Sequence, residues 1–266
     1  MRRHQYILIF GLLILVCLAI GIWSFGFWGN WDGKTKLSVI SQSGGGDVKV
    51  EVFDPANQLI TTINIPGSVE VNAANGLGTW KLGSITKLGI DKNLESGDFL
   101  KNTVIKSFNF PIDSANLSLI DRIRIKLFLL SVGNAGKANI NLEDTGDLIK
   151  TQLTDGSKGY KISDTMPTRV EAYFNDANVN ENVIVKNSTG SVSEGIMAGN
   201  VLSVLGAKIA SIQNLESDNF GCKIMGTDEK LVTKIAKIFS CETNLLKPAN
   251  NFDLEFDLGS QFKNRF

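Results

Sequence analysis

Histidine is almost missing from this chain of 266 residues: there is one, His4. A Ser-His-Asp or Cys-His hydrolase needs an imidazole base, so those chemistries are excluded from everything beyond the first few positions. Cysteine is scarce as well, with Cys17, Cys222 and Cys241 the whole complement. That leaves too few soft ligands for a zinc centre, and neither a metal nor a cofactor is expected. Net charge is zero, so the broad positive field that nucleic-acid binding depends on is lacking. Arginine is thin: past Arg3 there are only Arg122, Arg124, Arg169 and Arg265.

What the sequence does have is one long apolar run. Tyr6–Trp28 carries no charge, and its length at 1.5 Å per residue spans roughly 34 Å, against a hydrocarbon core of ~30 Å. Residues 1–5 read as a cytoplasmic stub, 6–28 as a transmembrane signal anchor and 29–36 as a juxtamembrane spacer. Arg2 and Arg3 directly abut the run and Lys34 and Lys36 lie just after it, a slight bias toward the N-terminal side. The positive-inside rule then puts the N-terminus in the cytoplasm and the bulk outside, in a single-pass cell-membrane protein. Trp23, Trp28 and Trp31 suit an outer interfacial belt. The alternative is a cleaved signal peptide with Ala19–Gly21 as its small-x-small site, although the run exceeds the usual apolar region of 7–15 residues.

Beyond the run the expected class is α+β, in two small domains at 37–174 and 183–266. The first opens with strands at Leu37–Ser41, Val48–Phe53 and Leu59–Ile65, the last two paired as a hairpin through the Asp54–Asn57 turn. Leu82–Leu88 and Phe99–Phe108 read as helices. In Ser114–Val132, Ile123, Ile125 and Leu127 alternate with Arg122, Arg124 and Lys126 as in a strand. Leu119, Ile120, Ile123, Leu127 and Leu130 also form a helical stripe. Length, and Asp113 or Ser114 as an N-cap, favour helix. Glu143–Leu153 reads as another helix, broken at Asp155–Gly156.

The polar, Asn-rich stretch 175–182 looks like a linker. After it come a strand at Val183–Lys186, a turn at Asn187–Gly190, and a helix Val192–Leu205 ended by Gly206. Strands follow at Lys208–Leu215, with Ile209, Ser211 and Gln213 on one face, and at Cys222–Met225. A helix capped by Asp228 runs to Phe239, with Leu231, Ile235 and Ile238 on one face, and a last strand is Phe252–Leu258. The order is βαββαβ, suited to a two-layer unit.

Four places invite a functional reading, each beside a plainer one. Cys222 and Cys241 form either a disulfide, usual outside the cell, or two buried thiols. The Gly76–Ser84 loop lacks the Gly-Lys-Ser/Thr ending of a phosphate loop and reads as a surface loop with Trp80 tucked in. Arg122, Arg124 and Lys126 face either an anionic lipid or wall polymer, or simply water. Asn187, Ser188, Thr189 and Gly190 either grip a ligand or supply what the turn requires.

Val183–Gly190, the helix after it and Leu205–Gly206 resemble the LytR C-terminal domain, which recurs on bacterial envelope proteins. Val50–Pro66, Asn72–Gly83 and Phe110–Asp113 resemble the opening of a LytR-CpsA-Psr domain. That resemblance implies transfer of phosphate-linked glycopolymers from a polyprenyl carrier to the wall, by several Arg and Asp residues that hold pyrophosphate and a metal ion. Here the family's Ile-Pro-Arg-Asp is Ile65–Ser68, with Gly67 and Ser68 in place of the charged pair. A pyrophosphate clamp needs several convergent bidentate donors. The expectation is therefore a degenerate, non-catalytic envelope module that binds or scaffolds wall polymer or protein partners. The alternative is an active glycopolymer phosphotransferase.

Overall fold

The computed structural model describes residues 31–163, 171–176, 179–248 and 251–266. The expected span Tyr6–Trp28 and the cytoplasmic stub lie outside the described residues. Among the described residues no helix is long and apolar enough to cross a membrane.

The fold is α+β, with two main sheets. The first is built from β1 (Leu37–Gln42), β2 (Val48–Asp54), β3 (Leu59–Ile65) and, added later, β6 (Lys137–Asn141), in that spatial order. The first three strands are antiparallel; β6 pairs with β3 in parallel, which requires a long crossover. That crossover holds a small hairpin of β4 (Glu70–Asn72) and β5 (Thr79–Lys81), then helices α1 (Ile85–Asp91), α2 (Ser96–Phe108) and α3 (Leu119–Ser131).

Alternation in β2 divides the sheet's two faces. Val48, Val50 and Val52 point inward with Ile40, Ile63 and Ile65 and are buried. The other face carries Leu37, Val39, Phe53 and Ile60, against which α3 packs Ile125 and Phe128. Trp31 completes this second cluster at 3% exposure. Its ring lies 6.3 Å from Phe53 and 6.2 Å from Phe128. Trp31 is thus a core residue and not part of an interfacial belt, because two aromatic rings and the sheet enclose it. The far end of the expected spacer is also engaged: Lys36 pairs with Asp54 at 3.0 Å.

The second sheet has the order β10-β9-β13-β11-β12, from β9 (Asn182–Ser188), β10 (Lys208–Asn214), β11 (Cys222–Gly226), β12 (Glu242–Asn244) and β13 (Leu254–Gly259). Helix α4 (Val192–Leu205) links parallel β9 and β10, and α5 (Glu229–Phe239) links parallel β11 and β12. Gly206 at φ +109 ends α4. Asp228 caps α5 by accepting from the backbone N–H of Lys230 and Leu231. The order is βαββαββ followed by a short helix α6 (Ser260–Lys263), so the βαββαβ expectation lacks the three-residue strand β12.

Other local expectations are corrected. Glu143–Leu153 is not a helix: Gly146 at φ +77 turns the chain, and Leu148–Gln152 (β7) pairs with Lys158–Ile162 (β8) as a hairpin. Ser118, not Asp113 or Ser114, caps α3 by accepting from the Asp121 N–H. A register shift between Ile209 and Ser211 breaks the single face expected for β10. Trp80 is 43% exposed rather than tucked in.

One buried cluster runs from Ile40 and Val50 through Phe108, Phe110 and Phe174 to Val185, Phe239 and Phe256. Polar links reinforce it. Lys101 on α2 is 3% exposed and donates from Nζ to the Lys237 carbonyl in the last turn of α5 at 3.0 Å. A cation suits that end of a helix, where carbonyls lack intrahelical partners. Arg265 donates to the Phe239 and Ser240 carbonyls at the same end. Cys222 and Cys241 are joined by a disulfide, Cα to Cα 4.9 Å, that ties β11 to the end of α5.

Trp31→Ala empties the space between Phe53 and Phe128 and is expected to destabilise the fold by about 3–5 kcal/mol, read from the midpoint of urea unfolding. Replacing Cys222 and Cys241 with Ser removes a closed loop and is expected to cost about 3 kcal/mol in the same measurement. Non-reducing mass spectrometry with an alkylating agent should find neither thiol modified.

Candidate functional site

Between the two sheets lies a cleft of about 960 Å³, walled by Trp31, Lys36, Asp113 and Asp121 on one side and by Asp176, Lys234 and Lys237 on the other. Trp31, buried at the edge of the cleft, is fixed at three points. Its N–H donates to Asp121 Oδ1 at 2.9 Å and its indole Nε1 to the Thr35 carbonyl at 2.6 Å. Its own carbonyl accepts from Arg124 Nη1. Below it, Lys36 Nζ reaches both Asp54 and the Asn175 carbonyl, the latter at 2.7 Å. Across the cleft, Lys234 pairs with Asp176 at 3.1 Å, each side chain little exposed.

Asp113 is a carboxylate that this setting alters. Loss of hydration pushes it above the usual range, opposed by the Lys234 charge, by two hydrogen bonds from Ser38 and by Lys101. Ser38 donates to Oδ2 from its N–H at 2.7 Å and from its hydroxyl at 2.8 Å. Burial also pushes the Lys101 ammonium downward. Among the described residues no group of three His, Cys, Asp or Glu side chains is disposed to hold a metal.

The structure separates the two arginines singled out from sequence. Arg124 turns back onto the Trp31 carbonyl, while exposed Arg122 donates from Nε to the Leu117 carbonyl at 3.3 Å. Arg169 lies outside the described residues, and Arg265 is engaged at the end of α5. The turn Asn187–Gly190 is bonded within itself. Asn187 Oδ1 accepts from the Thr189 N–H at 3.2 Å and its hydroxyl at 2.6 Å. Asn187 Nδ2 donates to the Ser191 carbonyl and to Asn214 Oδ1, both at 2.8 Å. Gly190 supplies the φ of +77 that follows. None of these four residues lines the cleft. Sequence reasoning weighed Lys36 only for membrane orientation and missed Asp176 and Lys234, whose partners are remote in the chain; Asp113 stood in a noticed motif.

No family model matches the chain, and no curated protein does. Among solved structures it is similar to TagT of B. subtilis, at 13% identity over 87% of each chain with a TM-score of 0.26. It is also similar to the LytR-CPS2A-psr family protein YwtF (TagT) with bound octaprenyl pyrophosphate lipid, at 13% identity over 88% of each chain and a TM-score of 0.25. A transcriptional regulator from Enterococcus faecalis matches at 11% identity over 78% of this chain and 88% of its own, with a TM-score of 0.25. Neither fold nor activity is carried across from superpositions of this quality.

A second titrating group sits away from the cleft. On β13, Glu255 and Asp257 share the sheet face opposite Phe256, with Lys186 Nζ 2.5 Å from Glu255. Asp257 Oδ1 is buried with no hydrogen-bond partner. Desolvation first, then the Glu255 charge, pushes Asp257 up to about 6. A carboxyl whose pKa is raised on folding favours the fold when protonated, so its contribution is full below about pH 4 and is lost as pH rises through about 6. Asp257→Asn should therefore raise the melting temperature at pH 7 and change it little at pH 4, a contrast that thermal unfolding at the two pH values checks. The Glu255 charge contributes to the upward push on Asp257, so Glu255→Gln should lower the pH at which the contrast appears.

Proposed function

We propose that this chain is a membrane-anchored, extracytoplasmic envelope protein whose outer body binds or scaffolds wall polymer or protein partners without catalysing their transfer. The Tyr6–Trp28 run is its anchor. Residues 37–174 form the membrane-near, LytR-CpsA-Psr-like unit and 183–266 the distal, LytR C-terminal-like unit.

The observation that carries this reading is the pairing of charges around the cleft. Lys36 and Lys234 are each held by a carboxylate, and the two described arginines of α3 diverge onto separate backbone carbonyls. A pyrophosphate transferase needs the opposite arrangement, with several guanidinium groups free to converge on one anion. A cleft whose Lys36 and Lys234 are already paired suits a neutral, polar guest such as a glycan or an extended peptide.

Full-length protein in detergent, given Mg²⁺ and a glycan linked to a polyprenyl pyrophosphate, is expected to show no transfer to wall acceptors. Turnover abolished by Arg122→Ala or Arg124→Ala would overturn the non-catalytic reading in favour of a phosphotransferase. In cells, the chain should stay with membranes through alkaline carbonate extraction. Protease added to intact cells with a permeable wall should remove residues beyond 36; protection would reverse the orientation.

A further inference from the structure

Helix α3 is inside out for a protein surrounded by water. Its inner side buries only Asp121 and Ile125, with Phe128 half-buried. Its outer side exposes Leu119 at 61%, Ile123 at 50%, Leu127 at 63% and Leu130 at 84%. At 100° per residue these four fall within roughly 80° of arc, a continuous apolar stripe along a helix about 20 Å long. Arg122 and Lys126, both exposed, flank one edge of it.

We infer that this stripe lies in the bilayer interface, with the helix parallel to the membrane surface and Arg122 and Lys126 reaching anionic headgroups. The inference rests on the reading of Tyr6–Trp28 as the anchor. Two further observations select lipid as the occupant. Trp31 is pinned to α3 through its N–H bond to Asp121, its ring contact with Phe128 and its carbonyl bond from Arg124. Only three residue steps separate it from Trp28, a reach of at most about 11 Å, comparable to the thickness of the helix itself. The helix is therefore held where the chain leaves the bilayer. The charges beside the stripe are also of one sign: two cations at an apolar edge match a surface of apolar chains under anionic headgroups.

The test uses the full chain, with Cys17→Ser, in vesicles of phosphatidylcholine and phosphatidylglycerol. A fluorophore is attached at Ile123→Cys, Leu127→Cys or, as control, Glu216→Cys, all solvent-facing positions. Lipid bearing a nitroxide near its headgroup is expected to quench the labels at 123 and 127 several-fold more than the label at 216. With Arg122→Glu and Lys126→Glu, that quenching should fall in these vesicles. Labels at 123 and 127 that remain water-accessible while the protein floats with the vesicles would overturn the interfacial helix and leave the anchor standing. Protein that fails to float would remove the anchor and this inference with it. Labels shielded from water without nitroxide quenching, to an extent that rises with protein density in the bilayer, would give the stripe to a second copy and overturn the inference.

Discussion

The burial of Trp31 is the constraint on which the rest depends. The indole closes the outer cluster between Phe53 and Phe128, its backbone N–H satisfies Asp121, and its carbonyl takes up Arg124. Asp121 is 1% exposed, a costly place for a carboxylate unless hydrogen bonds replace its lost hydration. The Trp31 N–H and the Ser118 hydroxyl provide them, at 2.9 and 2.8 Å. A polar residue on the inner side of α3 is therefore explained by the chain's entry point and not by the helix alone. The same fixation ties residues 31–36, read from sequence as spacer, into the folded body: Trp31 is held to α3 and Lys36 to Asp54.

A second joint sets the cleft. Lys101 crosses from α2 to the carbonyl end of α5, and Lys36 crosses from the start of β1 to the Asn175 carbonyl. Both bonds connect segments far apart in sequence, and both lie beside a continuous apolar cluster. The two sheets thus cannot swing apart without exposing apolar surface and stranding a buried ammonium, which makes the cleft a preformed feature. That favours recognition of a fixed shape over closure upon a reacting group, because little ordering remains to be done when a guest enters.

Local patterns were legible in the sequence and long-range ones were not. The strands β1 to β3 stand at their expected places because Val48, Val50 and Val52 alternate strictly and Asp54–Asn57 supplies a turn. Helices α4 and α5 begin and end as read, since Gly206 and Asp228 are local stop and start signals. The β7–β8 hairpin differs from the expected helix because Leu148 and Ile149 suit either period, and what decides is pairing with residues 6 to 14 positions later. The disulfide pair could be named but not joined, since spacing says nothing about Cα separation. The cleft was invisible for the same reason. Lys36 meets Asn175 across 139 positions and Lys234 meets Asp176 across 58, distances at which no periodicity carries information.

Helix α3 shows a different limit. Its stripe of Leu119, Ile123, Leu127 and Leu130 was visible from spacing, yet the stripe faces outward. Amphipathic spacing states that a helix has two unlike sides; it does not state which one meets the protein. In water the apolar side goes inward by default, because burying each large side chain is worth about 1.5–3 kcal/mol. Forgoing that gain at four positions of one helix is a poor solution for a chain bathed in water on every side. It is an ordinary solution for a chain with a second apolar solvent within reach, and the pinned Trp31 keeps α3 within reach of the place where the apolar run ends. On the interfacial reading proposed above, the sheet that packs on Ile125 and Phe128 lies on the side of α3 away from the lipid, with the cleft beside Trp31.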